Sequence, residues 1–244
     1  MTITVPQPAR GSRKPAEDPA FGLSLGTVLG PVAFTLAWLV LGFVSTGYTL
    51  FGHEFTEYSP ISQSISGLGM GGTAAYMNTA FVVTGVVLVV GLVAVFRVVQ
   101  LTDEEAPARG TRTTPPRSRA LRRSALTLLA CTGLGQILCG LFTLEAFLPH
   151  LLGFLLAVGT PVIGFPVAGH YFRTVPSWHR FGTWLRLGGP LALVLLVAYF
   201  LTFRPTPDGA EHGIAGLVQR LGVLHVHAWF VAMGWRAWRA RRTA

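Results

Sequence analysis

The sequence predicts an all-α integral membrane protein, a bundle of six transmembrane helices with both termini in the cytoplasm. Three observations support this: few charged residues, six apolar segments of membrane-crossing length, and the placement of Lys and Arg between those segments. Charged residues make up 12% of the 244 residues, whereas soluble domains average about 25%. The mean hydropathy of +0.53 agrees. We therefore expect the bilayer to be the main solvent of this chain.

A helix that crosses the hydrocarbon core needs about 20 mostly apolar residues. Six segments reach this length, at about residues 25–47, 74–97, 122–144, 151–172, 186–204 and 214–236. The sixth is the most polar, because it contains Arg220, His225 and His227. It counts as a span because it is long enough, has one formal charge and ends in Trp235 and Arg236. The alternative is five spans, with the sixth segment lying in the membrane interface.

The basic residues set the predicted topology. Of the 19 Lys and Arg residues, 17 lie in the N-terminal tail, in segments 97–123 and 173–186, and at the C-terminus. An even number of spans places these four regions on one side, which the positive-inside rule identifies as the cytoplasm. Residues 1–24 are then a disordered cytoplasmic tail and residues 239–244 a basic cytoplasmic tail. The net charge of +9 thus reflects topology, and no nucleic-acid partner is predicted.

The longest outer connection, residues 48–73, contains the uncharged stretch "YSPISQSISGLG" from Tyr58 to Gly69. Ser59 is suited to cap a helix and Pro60 to its first position. Helical spacing places three apolar residues on one side, namely Ile61, Ile65 and Leu68. It places four polar residues on another side, namely Ser59, Ser62, Gln63 and Ser66. A short amphipathic helix is predicted, whose polar side faces either bulk water or a binding pocket.

Ionisable residues inside a membrane segment are costly and are usually paired or functional. Arg220 lies near the outer end of the sixth span and needs a counter-charge. Glu145, at the outer end of the third span, is the first candidate, with Glu57 and Glu54 as alternatives. His225 and His227 point to different helix faces, because residues i and i+2 do not face each other. No metal or cofactor is predicted.

The third span carries small and polar residues at spacings of three and four, namely Thr132, Gln136, Cys139, Gly140 and Thr143. This pattern is typical of close helix packing with interhelical hydrogen bonds; a sharper interpretation is that Gln136 lines a cavity. Cys131 and Cys139 are eight residues apart, or roughly 12 Å along a helix, which excludes a disulfide between them. Pro161 and Pro166 predict a kink in the fourth span.

The outer ends of the spans therefore converge on one group of polar residues. The candidate ligand-binding pocket contains Ser59, Ser62, Gln63, Ser66, Glu57, Glu145, His150, Arg220 and His227. Such a group can bind a lipid headgroup or another amphiphile. It can also be a structural salt-bridge network that closes the outer face. No catalytic residue is assigned, and the oligomeric state is left open.

Three motifs together resemble the bacterial membrane family named domain of unknown function 998. They are the loop "YSPISQSISGLG", the hairpin "GLFTLEAFLPH" and the opening of the sixth span, "GLVQRLG". The resemblance covers about residues 25–238 and implies a six-span fold in the bacterial inner membrane, with no established activity. The matching positions are Ser59, Pro60, Ser62, Ser66, Leu68, Gly69, Gly140, Phe142, His150, Gln219 and Arg220. Members often carry Asp near the position of Glu145.

Three functions remain open at this stage. The first is a non-enzymatic membrane protein that binds a lipid or another amphiphilic small molecule in an outward-facing polar pocket. The second is an intramembrane hydrolase or transferase that uses Glu and His near the outer face, although no His-x-x-x-His pair and no Asp-rich metal motif is present. The third is a small transporter, against which the absence of an internal repeat argues.

Overall fold

The computed structural model describes residues 17–104, 116–204 and 212–241. The helices are α1 (Ala20–Leu23), α2 (Gly26–Val44), α3 (Ala74–Glu104), α4 (Pro116–Leu141), α5 (Phe147–Phe154), α6 (Thr160–Phe172), α7 (His179–Thr202) and α8 (Ala215–Ala240). Five segments are long and apolar enough to cross a membrane: Ala20–Val44, Gly71–Asp103, Ser118–Leu141, Phe147–Phe172 and Pro176–Thr202. The predicted all-α class and the membrane-embedded character are confirmed. Helix α8 is long enough but less apolar than those five, so the six-span count stays a prediction.

The long helices form a closed ring. Helix α2 packs on α3, α3 on α4, α4 on α6, and α6 on α7. Helix α8 lies between α7 and α2 and also contacts α3, so it completes the ring. Residues 45–73 cover the end of the bundle where α2 ends and α3 and α8 begin; we call this the loop end.

Small residues let these helices approach closely. A Cβ added to Gly133 of α4 would lie 2.7 Å from the carbonyl oxygen of Gly85 on α3. A Cβ added to Gly140 would lie 2.7 Å from the Asn78 carbonyl oxygen. The close helix packing predicted at Gly140 of the third span is confirmed, and Gly133, which the prediction did not name, packs equally closely. Both cysteines are free thiols, as the spacing of Cys131 and Cys139 predicted.

The loop end departs from the predicted amphipathic helix. Strand β1 (Tyr48–Leu50) pairs antiparallel with β2 (His53–Phe55), and a 3₁₀ helix covers Ile65–Gly69. Between them is a single turn, closed by the Gln63 N–H donating to the Ser59 carbonyl at 2.9 Å. Ser64 is extended, with φ −67° and ψ 156°, and it ends this turn. The turn cannot continue as an α-helix because its carbonyls are used by α8, as described below.

The predicted division of the loop into two faces is partly wrong. Ile65 and Leu68 are buried, as expected, but the Ile61 side chain is 54% exposed. The polar residues Ser62, Gln63 and Ser66 are buried rather than facing water. The loop therefore inserts into the end of the helix bundle and does not lie on its surface as a helix.

The predicted tails are also shorter than expected within the described residues. Helix α1 begins at Ala20, so the first apolar segment starts before residue 25. Helix α8 continues to Ala240, into the segment predicted as the basic tail. Residues 1–16 and 242–244 lie outside the described residues, as does much of the Arg-rich 97–123 connection.

The fourth span is irregular where a proline kink was predicted. A π-helical segment, Leu155–Gly159, joins α5 to α6. Pro161 has no N–H to donate to the carbonyl four residues earlier. The Thr160 hydroxyl donates to the Leu156 carbonyl at 2.6 Å in the same turn. Segments of this type occur often at functional sites, and this one lines the cavity described below.

The close contact of α3 and α4 gives a test of the fold. Gly133→Ala should lower the free energy of unfolding by about 1–3 kcal/mol, because the new methyl group would lie 2.7 Å from both the Gly85 carbonyl oxygen and the Val89 Cγ2, and the backbone oxygen cannot move aside. Equilibrium unfolding in mixed micelles would measure this. Gly222→Ala is the control, since its Cβ would meet only Leu195 Cβ at 3.8 Å. Equal stability of the two variants would contradict the α3–α4 contact.

Candidate functional site

Arg220 fastens the loop to the bundle. Its side chain is buried, with 5% exposure. One terminal nitrogen, Nη1, lies 2.7 Å from the Pro60 carbonyl oxygen, 2.9 Å from that of Gln63 and 2.9 Å from that of Gly216. The other, Nη2, donates to the Tyr58 hydroxyl. The guanidinium group therefore holds both ends of the Pro60–Gln63 turn.

The backbone of α8 holds the middle of the same turn. The Gly216 N–H donates to the Ser62 carbonyl at 3.2 Å, and the Leu217 N–H donates to the Ile61 carbonyl at 2.8 Å. The first N–H groups of a helix have no partner inside the helix, so the loop caps α8. A Cβ at position 216 would collide with the Gln63 backbone, which makes glycine necessary there. Four successive loop carbonyls are thus bound by one helix end.

The predicted ion pair of Arg220 is wrong. No carboxylate among the described residues pairs with Arg220; its acceptors are carbonyls and a phenol. Glu145 and Glu57 are both exposed, and it is the Glu57 main-chain carbonyl that accepts a bond, from Gln63 Nε2 at 3.1 Å. The rings of Trp38 and Tyr58 lie 5.3 and 5.7 Å from the Arg220 guanidinium carbon. Aromatic faces and carbonyl oxygens replace a counter-charge.

We call Arg220 and the groups that it binds, the Pro60, Gln63 and Gly216 carbonyls and the Tyr58 hydroxyl, the Arg220 clamp. Tyr58 is the main residue of this clamp that the sequence analysis did not identify. Burial raises the pKa of Tyr58 above its usual value, and the Arg220 cation opposes this to a smaller extent. The phenol therefore stays protonated, accepts from Arg220 and donates to the Ser64 carbonyl at 2.9 Å. Its place beside Ser59 in an otherwise uncharged loop was visible, but no spacing pattern linked it to Arg220.

The hydroxyl residues of the loop do not share one pocket. Ser59 is half-buried and its Oγ accepts weakly from the Ser62 N–H at 3.4 Å. The Ser62 Oγ and the Gln63 Oε1 are buried and have no hydrogen-bond partner among the described residues. These three residues lie at the Arg220 clamp. Ser66 points elsewhere, toward α5.

Ser66 forms a side-chain pair with His150. The Ser66 Oγ lies 2.9 Å from His150 Nε2, and both residues are buried. His150 Nδ1 lies 2.6 Å from the Phe142 carbonyl oxygen. A carbonyl only accepts, so Nδ1 carries the proton, and in the neutral ring Nε2 accepts from the Ser66 hydroxyl. A serine, a histidine and an orienting carbonyl therefore form one chain.

A cavity of about 40 Å³ lies next to this pair, inside the ring of helices. A water molecule needs roughly 10–15 Å³ on this measure, so a few waters or a slim organic group fit. Its apolar walls include Phe34, Phe81 and Phe154. Its polar or polarisable lining consists of Ser66, Thr132, Gln136, Cys139, Gln219 and His227. Among the described residues that line it, none is Asp, Glu, Lys or Arg.

Two of the polar lining residues are connected to each other. Gln136 Nε2 lies 3.5 Å from His227 Nε2, and Thr35 Oγ1 lies 3.3 Å from His227 Nδ1. An amide nitrogen only donates, so His227 Nε2 is the acceptor and the ring carries its proton on Nδ1. The interpretation of Gln136 as a cavity residue is confirmed. His227 lines the cavity, whereas Arg220, seven residues earlier on α8, belongs to the clamp.

Gln219 links the clamp to the cavity. Its Oε1 accepts from the Ile65 N–H at 2.7 Å, which fixes the start of the 3₁₀ helix beside Ser66. Gln219 also lines the cavity. By contrast, the Thr132 hydroxyl on the opposite wall is buried with no hydrogen-bond partner among the described residues. Such a group is expected to bind a water or a ligand.

A second cavity, of about 20 Å³, adjoins the first. The two share Phe154, Val158, Gln219 and Val226. The second extends between the π segment, α7 and α8 and is lined by Leu195, Leu196 and Tyr199. Most of its lining is apolar and half-buried, in a part of the bundle surface that carries many exposed apolar side chains.

His225 and His227 do not act together. His225 Nε2 lies 2.9 Å from the Gly188 carbonyl oxygen on α7, while His227 faces the cavity. Within residues 17–104, 116–204 and 212–241, no three His, Cys, Asp or Glu side chains are grouped as metal ligands. In the described part of the chain the cavity offers hydrogen-bonding groups rather than charge.

The clamp gives a test that separates it from the predicted ion pair. Arg220→Met removes the donor that holds Pro60 and Gln63, and hydrogen bonds to a charged group contribute about 1.5–3 kcal/mol each. We expect the free energy of unfolding to fall by at least about 3 kcal/mol, with faster proteolysis of residues 45–73. Glu145→Gln should change neither, because Glu145 is exposed. A similar loss of unfolding free energy in both variants would support the predicted ion pair between Arg220 and Glu145.

Comparison of the chain with family models gives no match. No curated protein and no solved structure matches it either. The resemblance to the domain of unknown function 998 family stays a prediction, and the candidate site is interpreted from its own geometry.

Proposed function

We propose that this membrane protein binds an amphiphilic lipid molecule whose head is uncharged and forms hydrogen bonds. The cavity beneath the loop carries the proposal, because it combines aromatic walls with Ser66, Thr132, Gln136 and Gln219 in one space. The clearest single observation is the buried Thr132 hydroxyl, which has no hydrogen-bond partner among the described residues. Burying a polar group without a hydrogen bond is costly, and a ligand's head group would supply the missing partner.

The absence of charged side chains among the described lining residues favours a neutral head. A phosphate or carboxylate in a low-dielectric cavity needs a paired cation. The nearest buried cation, Arg220, directs its donors to the loop carbonyls and to Tyr58 instead. Hydroxyl, ester or amide groups match the serine, threonine and glutamine side chains better. We therefore propose a neutral lipid, such as an acylglycerol or a long-chain alcohol.

The second cavity supports a place for the apolar part of the ligand. It continues from the first cavity past Val158 and Val226 toward the groove between α7 and α8. Together the two hold only a slim group, which fits the head and the first carbons of one chain. The rest of the molecule would lie among the exposed apolar side chains of α7, which face lipid.

The membrane arrangement that we propose is six spans in the bacterial inner membrane, with both termini cytoplasmic. Helix α8 has 26 residues, or about 39 Å, which exceeds the hydrocarbon thickness of roughly 30 Å. It packs between α7 and α2 in the same ring. The distribution of Lys and Arg then places the loop end outside. This arrangement agrees with the family that the sequence resembles.

Native mass spectrometry of the protein released from lipid nanodiscs tests lipid binding. We expect the wild-type protein to retain a neutral lipid. Thr132→Val should weaken retention about 2- to 10-fold, because one neutral hydrogen bond is lost. The same variant should keep its stability, since that hydroxyl has no hydrogen-bond partner to lose in the part of the chain that the structure describes.

Thr84→Val is the matched control for this experiment. Thr84 is also a buried threonine in a helix, but its hydroxyl donates to the Ala80 carbonyl at 2.6 Å and does not line the cavity. Lipid retention should be unchanged in this variant. A wild-type protein that retains no neutral lipid, or equal retention by Thr132→Val, would contradict the proposal.

Cysteine labelling tests the six-span arrangement. In a background with Cys131→Ala and Cys139→Ala, Glu145→Cys should react with a membrane-impermeant maleimide in intact cells. Arg239→Cys should react only after the membrane is broken, because an even number of spans puts residue 239 inside. Labelling of Arg239→Cys in intact cells would instead support five spans. Both positions are exposed in the structure.

A further inference from the structure

We infer that Ser66 and His150 form a nucleophile–base pair that cleaves an ester bond of the bound lipid. The inference rests on the proposed function, because it assigns chemistry to the same cavity. A serine nucleophile needs a base within about 2.6–3.2 Å, and the base needs a third group that orients it. The structure brings together these three parts from the loop, α5 and the α4–α5 connection.

In this pair, His150 has the tautomer that a general base needs. The Phe142 carbonyl accepts a hydrogen bond from the N–H group at His150 Nδ1, 2.6 Å away. The lone pair of Nε2 therefore faces the Ser66 hydroxyl, 2.9 Å away. A histidine in this tautomer can take the serine proton as the oxygen attacks. The carbonyl occupies the place of the carboxylate in a Ser-His-Asp triad, since it fixes the ring and the tautomer.

Ser66 is the loop hydroxyl that reaches the lipid cavity. It lines the cavity together with Gln219 and Thr132. Ser62, four residues earlier, is equally buried but does not line the cavity and has no described partner. The two serines thus provide a natural comparison within one loop, one with a base and a cavity and one with neither.

Gln219 is placed to stabilise the oxyanion. Its Oε1 is engaged by the Ile65 N–H at 2.7 Å, which fixes the amide orientation. The amide NH₂ group is then a donor on the wall of the cavity that contains Ser66. Side-chain amides act as oxyanion donors in other hydrolases, and removal of one costs about 10²–10³-fold in rate.

The step that we propose is ester hydrolysis through an acyl-serine. The Ser66 oxygen bonds to the ester carbonyl carbon while His150 Nε2 takes the hydroxyl proton. The carbonyl–alkoxy bond then breaks, and the leaving alcohol takes that proton from His150. Water, deprotonated by the same nitrogen, then attacks the acyl carbon. The bond between that carbon and the Ser66 oxygen breaks, His150 returns the proton to the Ser66 oxygen, and the carboxylic acid is released. No oxidant, reductant or metal is needed for this balance.

An alkyl fluorophosphonate tests the nucleophile directly, because a serine activated by a base displaces fluoride and becomes covalently modified. The full-length protein in nanodiscs should gain one phosphonyl group, located at Ser66 by peptide mass spectrometry. Ser66→Ala should lose the modification, and Ser62→Ala should retain it at the wild-type rate. Wild-type protein that is not modified at Ser66 would overturn the inference.

His150→Gln tests the base while keeping a hydrogen-bonding side chain. We expect the labelling rate to fall by about 10²–10⁴-fold, which is the usual contribution of a general base. Unfolding and lipid retention of the same variant are measured in parallel, so that loss of folding is recognised. Unchanged labelling in a folded His150→Gln protein would also overturn the inference.

The reaction itself is followed with dioleoylglycerol in the nanodiscs, by mass spectrometric detection of released oleate. Release by wild type and by Ser62→Ala, with none by Ser66→Ala, supports the inference. Retained lipid together with an unlabelled Ser66 and no oleate would overturn the catalytic inference and leave the proposed lipid binding intact. If wild type neither retains neutral lipid nor labels, both proposals are overturned.

Discussion

The hydrogen bonds between the N-terminal end of α8 and the carbonyls of residues 60–63 are the constraint on which the rest of this site depends. A buried cation loses several kcal/mol of hydration, which is recovered only if its donors are well satisfied. Arg220 recovers part of it through its two terminal nitrogens, from the Pro60, Gln63 and Gly216 carbonyls and the Tyr58 phenol, while its Nε has no hydrogen-bond partner among the described residues. Two further carbonyls of the same turn, those of Ser62 and Ile61, accept hydrogen bonds from the N–H groups of Gly216 and Leu217. This one contact therefore supplies hydrogen-bond acceptors to a buried cation, caps a helix and holds the loop in the bundle.

Seating the loop in this way separates charge from the cavity. The guanidinium group is held on the loop side of α8, while Gln219, its neighbour in sequence, faces inward and binds the Ile65 N–H. That bond fixes the start of the 3₁₀ helix, and the next residue is Ser66. The cavity therefore receives a hydroxyl and an amide but no formal charge from the described residues. Our proposal of a neutral ligand is argued from this arrangement rather than from the composition of the loop.

The apolar spans, the free cysteines and the close packing of α4 could be predicted, because each depends on composition or on spacing within one helix. The partner of Arg220 could not. Carboxylates such as Glu145 are visible in a sequence, but a backbone carbonyl has no residue type, so Pro60 and Gln63 gave no signal. The same limit explains Ile61: a helical projection assumes that the turn continues, whereas α8 takes up the carbonyls that would continue it. His150 was predicted as a site residue, but its pairing with Ser66 joins positions 84 residues apart.

The hydrogen bonds that hold the loop are also relevant to why residue 66 is a serine. Docking uses main-chain carbonyls of residues 60–63 and the main-chain N–H of Ile65, so it makes no demand on the side chain of residue 66. Ser62 shows this, since its buried hydroxyl has no described partner and the loop is seated nonetheless. The Ser66 hydroxyl, by contrast, meets a histidine whose tautomer is already set by the Phe142 carbonyl. An alanine at position 66 would leave the docking of the loop intact but would remove the donor to the buried His150 Nε2, so we attribute the serine to its pairing with His150 at the cavity wall rather than to docking.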